Sequence, residues 1–203
     1  RQAASIAEQL GQARVRSQVL AALGYQVLYR LGRLDEAGDA LLAAADVAAT
    51  MQRQRAVVLT FAAEVLSYAG QPDRSASILA EAATTAERLD DERLRAYVAW
   101  EQARAAAFVD DRLAVVRAVA DVERHPGDWW EHGTAMVFLA EAADWLDRVG
   151  ERDLADAKLA AASARMEALG DDPAVLVVAA SIAARRRDGR AAMTLVERAE
   201  ATD

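Results

Sequence analysis

The chain has 203 residues, a formal charge of −8 at pH 7 and no cysteine; this excludes disulfides and thiolate metal sites and opposes binding to a phosphate backbone, which needs a concentrated basic surface. Alanine is the commonest residue, proline occurs three times and aromatics make up 5%, a helix-forming composition with little from which to build a sheet. Arg, Asp or Glu interrupts every apolar run within about a dozen residues, too soon for a bilayer-crossing helix, and the absence of cysteine suits a reducing cytoplasm.

The chain begins at Arg1 without a methionine and reads as a fragment of a longer protein, with 1–10 as the second helix of a unit whose first half is missing. Beyond it the apolar spacing predicts helices over 13–31, 34–50, 55–69, 72–88, 92–109, 112–124, 131–149, 151–169, 173–187 and 190–201. Along 34–50, for instance, Leu34, Ala37, Leu41, Ala44, Ala45 and Ala48 make one buried stripe. Asp35 and Glu36 fall in the first turn of that helix, where carboxylates are stabilised by the helix dipole. Pro72 and Pro173 sit near helix starts, and Asp172 is placed to cap the helix that Pro173 opens.

Two kinds of turn alternate between these helices. One carries glycine at Gly32, Gly70, Gly150 and Gly189, with Asp110-Asp111 in the glycine's place midway through the long gap. The other runs through Leu10, Met51, Leu89, Trp129 and Leu169, at spacings of 41, 38, 40 and 40. The regularity divides a single domain into repeats with a period of 38–41, at about 13–50, 55–88, 92–124, 131–169 and 173–201. Each repeat is a pair of antiparallel helices that cannot bury its own apolar face, so stacking of pairs is expected to supply the core. Gly24, Ala62 and Ala142, each eight positions before a turn glycine, are expected to let the paired helices approach closely. The expected fold is all-α, an α-solenoid of about five antiparallel helical hairpins.

The stretch "LGYQVLYRLGRLDEAGDALLAAA" resembles a tetratricopeptide repeat: Leu23-Gly24 is similar to the family's Leu-Gly pair, and Gly32 with Asp35-Glu36-Ala37 is similar to its turn and second-helix start. Two departures stand out: the Gly24-to-Gly32 gap is one residue longer than the family's, and the period exceeds the common 34. The longer period and the "RLDDE"-type joints are similar to the helical repeats of large bacterial LuxR-type, maltose-activator-like transcriptional regulators. The resemblance implies a right-handed superhelix serving as a sensor segment between an NTPase module and a DNA-binding helix-turn-helix. The alternative is a stand-alone tetratricopeptide scaffold joining protein partners. On either reading a protein or peptide partner, or a small-molecule effector, is expected in the concave groove, self-association is compatible with the fold, and no cofactor, nucleic acid or membrane is called for. The family pattern places Tyr25, Tyr29, Ala63, Ser67, Trp100, Arg104 and Asp147 toward that groove, with Glu64 and Asp144 as secondary candidates.

No phosphate loop, dinucleotide fingerprint or nucleophile elbow occurs, which points away from catalysis; an enzyme would instead require a polar cluster with shifted pKa values in the groove. His125 and His132 in "ERHPGDWWEHG" lack zinc-type spacing and read as a solvated joint rather than a metal or acid–base cluster. Trp129 and Trp130 in the same joint point about 100° apart on a helix, so one is expected in the core and the other partly exposed, as a capping wedge or a ligand platform. Arg185-Arg186-Arg187 reads as a basic helix end favoured by the dipole rather than as a nucleic-acid contact.

Overall fold

A computed structural model describes residues 12–125 and 133–202. Among the described residues the chain is all helical, with no strand. The helices are α1 (Ala13–Ala22, continuing as a π-helical stretch over Leu23–Tyr29), α2 (Leu34–Val47), α3 (Gln52–Tyr68), α4 (Pro72–Leu89) and α5 (Glu92–Phe108), then α6 (Arg112–Glu123), α7 (Thr134–Arg148), α8 (Arg152–Leu169), α9 (Pro173–Arg185) and α10 (Gly189–Glu200). The helix expected over 1–10, together with Trp129, Trp130 and His132, lies outside the described residues. The chain divides into two compact units, 1–109 and 110–203.

In the first unit α1 pairs with α2 and α3 with α4, and each pair packs on the next: α2 against α3, α3 against α5, α4 against α5. The core is assembled from small residues. Ala37, Ala44, Ala45, Ala62, Ala82 and Ala86 are fully buried, with Leu41, Leu59, Leu79 and Leu94 as the larger fillers. Gly24 shows why this matters: a Cβ there would stand 2.9 Å from Leu41 Cγ and 3.0 Å from the Ala37 carbonyl oxygen. The α1–α2 approach is thus closer than any side chain would permit.

The second unit repeats the scheme. α7 pairs with α8 and α9 with α10, while α6 and α9 both pack on α7. Phe138, Leu146, Val175, Leu176 and Ile182 fill its core. The last helix, α10, buries none of its residues, and Met193 on it is more than half exposed.

The turns that close α1, α3, α5, α7 and α9 share one backbone device. Gly32, Gly70 and Gly150 have φ of 71°, 72° and 86°, Asp110 has 56°, and Arg187 has 65°. At four of the five the residue after the left-handed one bonds back five positions: Arg33 N–H to Leu28, Gln71 N–H to Leu66, Glu151 N–H to Leu146 and Asp188 N–H to Ala183, at 2.8–3.0 Å. This is the Schellman arrangement, which satisfies carbonyls left over at a helix end. In the last turn the left-handed residue is Arg187 and not Gly189, which instead opens α10. The reason is the Asp188 cap, whose side chain accepts the Ala191 N–H at 3.0 Å and so fixes where the helix begins. Asp91, Asp111 and Asp172 cap α5, α6 and α9 in the same way.

Candidate functional site

In the first unit α1, α3 and α5 bring polar and aromatic residues to one place. Glu64 on α3 is its centre. Its Oε2 accepts from the Tyr25 hydroxyl at 2.7 Å, and its Oε1 from the Tyr29 hydroxyl at 3.1 Å. Arg104 Nη1 on α5 lies 3.3 Å from the same Oε1. Arg104 is tied more tightly to Glu101 one turn earlier, at 2.7 and 2.9 Å, and its guanidinium stands 5.7 Å from the centre of the Tyr68 ring. Glu64, Glu101 and Arg104 are all buried.

Helical spacing explains the convergence. Tyr25 and Tyr29 lie in the π-helical stretch of α1, where their rings stack 5.4 Å apart and both hydroxyls reach one carboxylate. That stretch has a local cause. The interval from Arg14 to Gly32 is one position longer than those from Arg53 to Gly70 and from Arg93 to Asp110; the wider π turns of α1 hold the additional residue over the same span.

Aromatic rings frame the polar centre. Phe61 packs on Tyr25 at 4.7 Å, Tyr68 on Tyr29 at 5.9 Å, and Phe108 meets Tyr68 edge to face at 5.3 Å. Tyr68 is 43% and Phe108 42% exposed, so the row Tyr29–Tyr68–Phe108 runs from partly buried to open.

Electrostatically the cluster is a set of donors engaged within the chain, both phenols on Glu64 and Arg104 on Glu101. Burial, and then the neighbouring Glu64 charge, raise the Tyr25 and Tyr29 pKa values well above the ordinary phenol range. Both phenols therefore stay protonated at neutral pH. That is the reverse of what an activated base or nucleophile requires.

Of the residues singled out from the sequence, Tyr25, Tyr29, Glu64 and Arg104 thus come together. Ser67 turns elsewhere: it is buried and donates to the Ser75 hydroxyl at 3.0 Å, which itself donates to the Ala63 carbonyl at 3.0 Å. Ser67 and Ala63 therefore belong to the α3–α4 packing. Trp100 is buried and stacks on Tyr97 at 6.1 Å. Trp130 lies outside the described residues. Sequence reading passed over Phe61, Tyr68, Glu101 and Phe108. Their signal is the repeat register itself, since Tyr29, Tyr68 and Phe108 recur at the spacing of the turns.

Asp144 and Asp147 are in the second unit, at the end of α7. Arg185 reaches Asp144 at 2.7 Å and Asp147 at 3.0 Å, Arg186 reaches Asp147 at 2.6 Å and Asp156 at 2.5 Å, and Arg148 reaches Asp144 at 2.7 Å. The network ties α9 to α7 and α8. Burial alone would raise the Asp147 pKa, but hydrogen bonds from Arg186 and Arg185 outweigh it and hold the carboxyl below its usual value. Arg185 and Arg186 are thus engaged within the unit, and Arg187 occupies the following turn.

Comparison of the chain with known protein families, curated proteins and solved structures returned no match. Among the described residues no helix is long and apolar enough to cross a membrane.

Proposed function

We propose that the chain is a non-catalytic, protein- or ligand-binding helical-repeat domain of tetratricopeptide type, an α-solenoid serving as the sensor segment of a bacterial LuxR-type transcriptional regulator. One observation carries the binding reading: the face shared by α1, α3 and α5 presents a half-exposed aromatic row, Tyr68 and Phe108, beside a polar centre of Glu64, Arg104 and two tyrosines. Aromatic side chains with a polar handle combine large contact area with little conformational entropy to lose, which suits a recognition surface. The protonated phenols and internally paired carboxylates support recognition over catalysis. The turn spacing and the left-handed residue that closes α1, α3, α5, α7 and α9 support the repeat assignment.

The regulator reading is tested in the full-length gene product. A phosphate loop upstream and a helix-turn-helix downstream are expected, and the Tyr68→Ala/Phe108→Ala pair is expected to abolish effector-dependent transcription while DNA binding persists. A full-length product with neither module would overturn that reading in favour of a stand-alone scaffold, for which the exposed aromatic row also speaks.

A further inference from the structure

The same face carries a second feature, nearer the start of its helices. Arg14, Arg53 and Arg93 recur in the repeat register, each the second residue of its helix, on α1, α3 and α5 respectively. Arginine in a first turn is opposed by the positive end of the helix dipole, so three in register are not explained by helix stability. Of the second helices, α2, α4 and α8 place acids there, Asp35 and Glu36, Asp73, and Asp153, while α6 and α10 have none; α5 also carries Glu92 beside Arg93.

A second arginine row, two residues further on, supplies the contrast. Arg55 bonds Glu81 and the Ala45 carbonyl, and Arg95 bonds Glu87 and Asp90; these side chains fasten each first helix to its neighbours. In the outer row Arg53 uses only its Nε, on Asp91 at 2.6 Å. Among the described residues Arg14 and Arg93 have no carboxylate within ion-pair distance. The Arg93 guanidinium lies over the Tyr97 ring, 5.6 Å from its centre. At the same helix position α7 and α9 carry Ala135 and Ala174, so the outer row belongs to the first unit alone.

These arginines border cavities. One, of about 260 Å3, lies between α3 and α5 and is lined by Val57, Phe61, Leu94 and Tyr97 together with Thr60, Arg53 and Arg93. Another, of about 600 Å3, lies between α1 and α3 under Arg14 and shares Arg53, Val57 and Phe61 with the first. The larger volume falls in the range of small-molecule sites and the smaller just below it. A lining that joins apolar side chains to guanidinium groups selects for shape and charge together.

We propose that this face binds a small amphipathic organic anion: a ring-bearing or branched apolar body inserted along Val57, Phe61 and Tyr97, with a carboxylate or other oxyanion held by Arg53 and Arg93. The proposal rests on the binding reading above and names its ligand class. The planar guanidinium of Arg93 can take an oxyanion in a two-pronged bond. The free Nη groups of Arg53 supply the second clamp, its Nε being held by Asp91, the residue that caps α5. In a chain of net charge −8 the local positive edge is what admits an anion that the rest of the surface repels.

The test uses anilinonaphthalene sulfonate, an aromatic anion, against its uncharged relative N-phenylnaphthylamine, both followed by fluorescence on the intact chain. The sulfonate is expected to bind at one saturable site at least tenfold more tightly than the neutral compound. Arg53→Ala and Arg93→Ala should each weaken the sulfonate about tenfold and change the neutral compound less than about twofold. Arg95→Ala, in the fastening row, should lower the melting temperature and leave sulfonate affinity unchanged, which separates loss of the site from loss of the fold. Equal affinity for the two probes, or an Arg53→Ala/Arg93→Ala variant that binds the sulfonate as the native chain does, would overturn the anion assignment. Either result would leave the transcription test of Tyr68 and Phe108 standing.

Discussion

Glu64 is a buried carboxylate whose oxygens are directed at two phenols and a guanidinium. Removing it deprives two partly buried hydroxyls of their acceptor and the buried Arg104 of one counter-charge, so Glu64→Ala should destabilise the chain by about 3–5 kcal/mol in urea titration. Tyr25→Phe, which loses one hydrogen bond and keeps the packing, should cost about 1 kcal/mol. The phenols also set a pH limit. Their folded pKa values are raised above the ordinary 10.0, so the unfolded chain releases their protons first. Their contribution is fully present below about pH 10 and is lost as pH rises further. A Tyr25→Phe/Tyr29→Phe variant should flatten the alkaline limb of a stability–pH curve. Asp147 works in the other direction: its folded pKa is lowered, so its contribution is present above the ordinary 3.8 and declines as pH falls further. Asp147→Asn should be less sensitive to acid between about pH 4 and 2. Four members of the site were legible from the repeat pattern because they occupy the face a first helix turns toward its neighbours. Ser67, which the family pattern placed toward the groove, is buried against α4: one position on a helix is a rotation of about 100°, enough to separate it from neighbouring Tyr68.

For single elements, the clearest legible features were backbone requirements. Glycine at a left-handed φ marks Gly32 and Gly70 in sequence and structure alike, and helix ends fall within three residues of the expected boundaries. Asp110 was legible by register. Arg187 was not, because nothing in its side chain advertises a left-handed conformation and nearby Gly189 drew the expectation to itself. Arginine at φ 65° carries strain of about 1–2 kcal/mol that glycine would not. Arg187→Gly should therefore raise stability by about 1 kcal/mol, read as an increase in melting temperature. Gly24 argues the opposite way. Alanine there would gain about 1 kcal/mol in helix propensity, but its Cβ would meet Leu41 and the Ala37 carbonyl at 3.0 Å or less. Gly24→Ala should be destabilising on balance by about 1–2 kcal/mol. The π-helical stretch of α1 was visible only as an unexplained extra residue, since periodicity counts positions and not turns.

Across the molecule, the regular recurrence of two turn types is what made an all-helical fold of paired helices readable from one sequence: each pair restates the alternation of apolar faces and turns. Function is less readable by the same logic, because the scaffold repeats while the facing side chains differ. The first unit has tyrosines, Glu64 and Arg104 at positions where the second has Asp144 and Asp147 in a network of arginines. That network is partly solvent-accessible on its arginine side, so raising the salt concentration should weaken the second unit's α7–α9 tie. The last helix, α10, extends this contrast to dynamics. It buries no residue fully, whereas α3 buries ten, so less apolar surface holds α10 down than holds α3. Its amides should exchange with solvent deuterium through small local openings, far faster than those of Leu59 or Val65 on α3. Exchange measured on α10 would then depend less steeply on mild denaturant than exchange on α3.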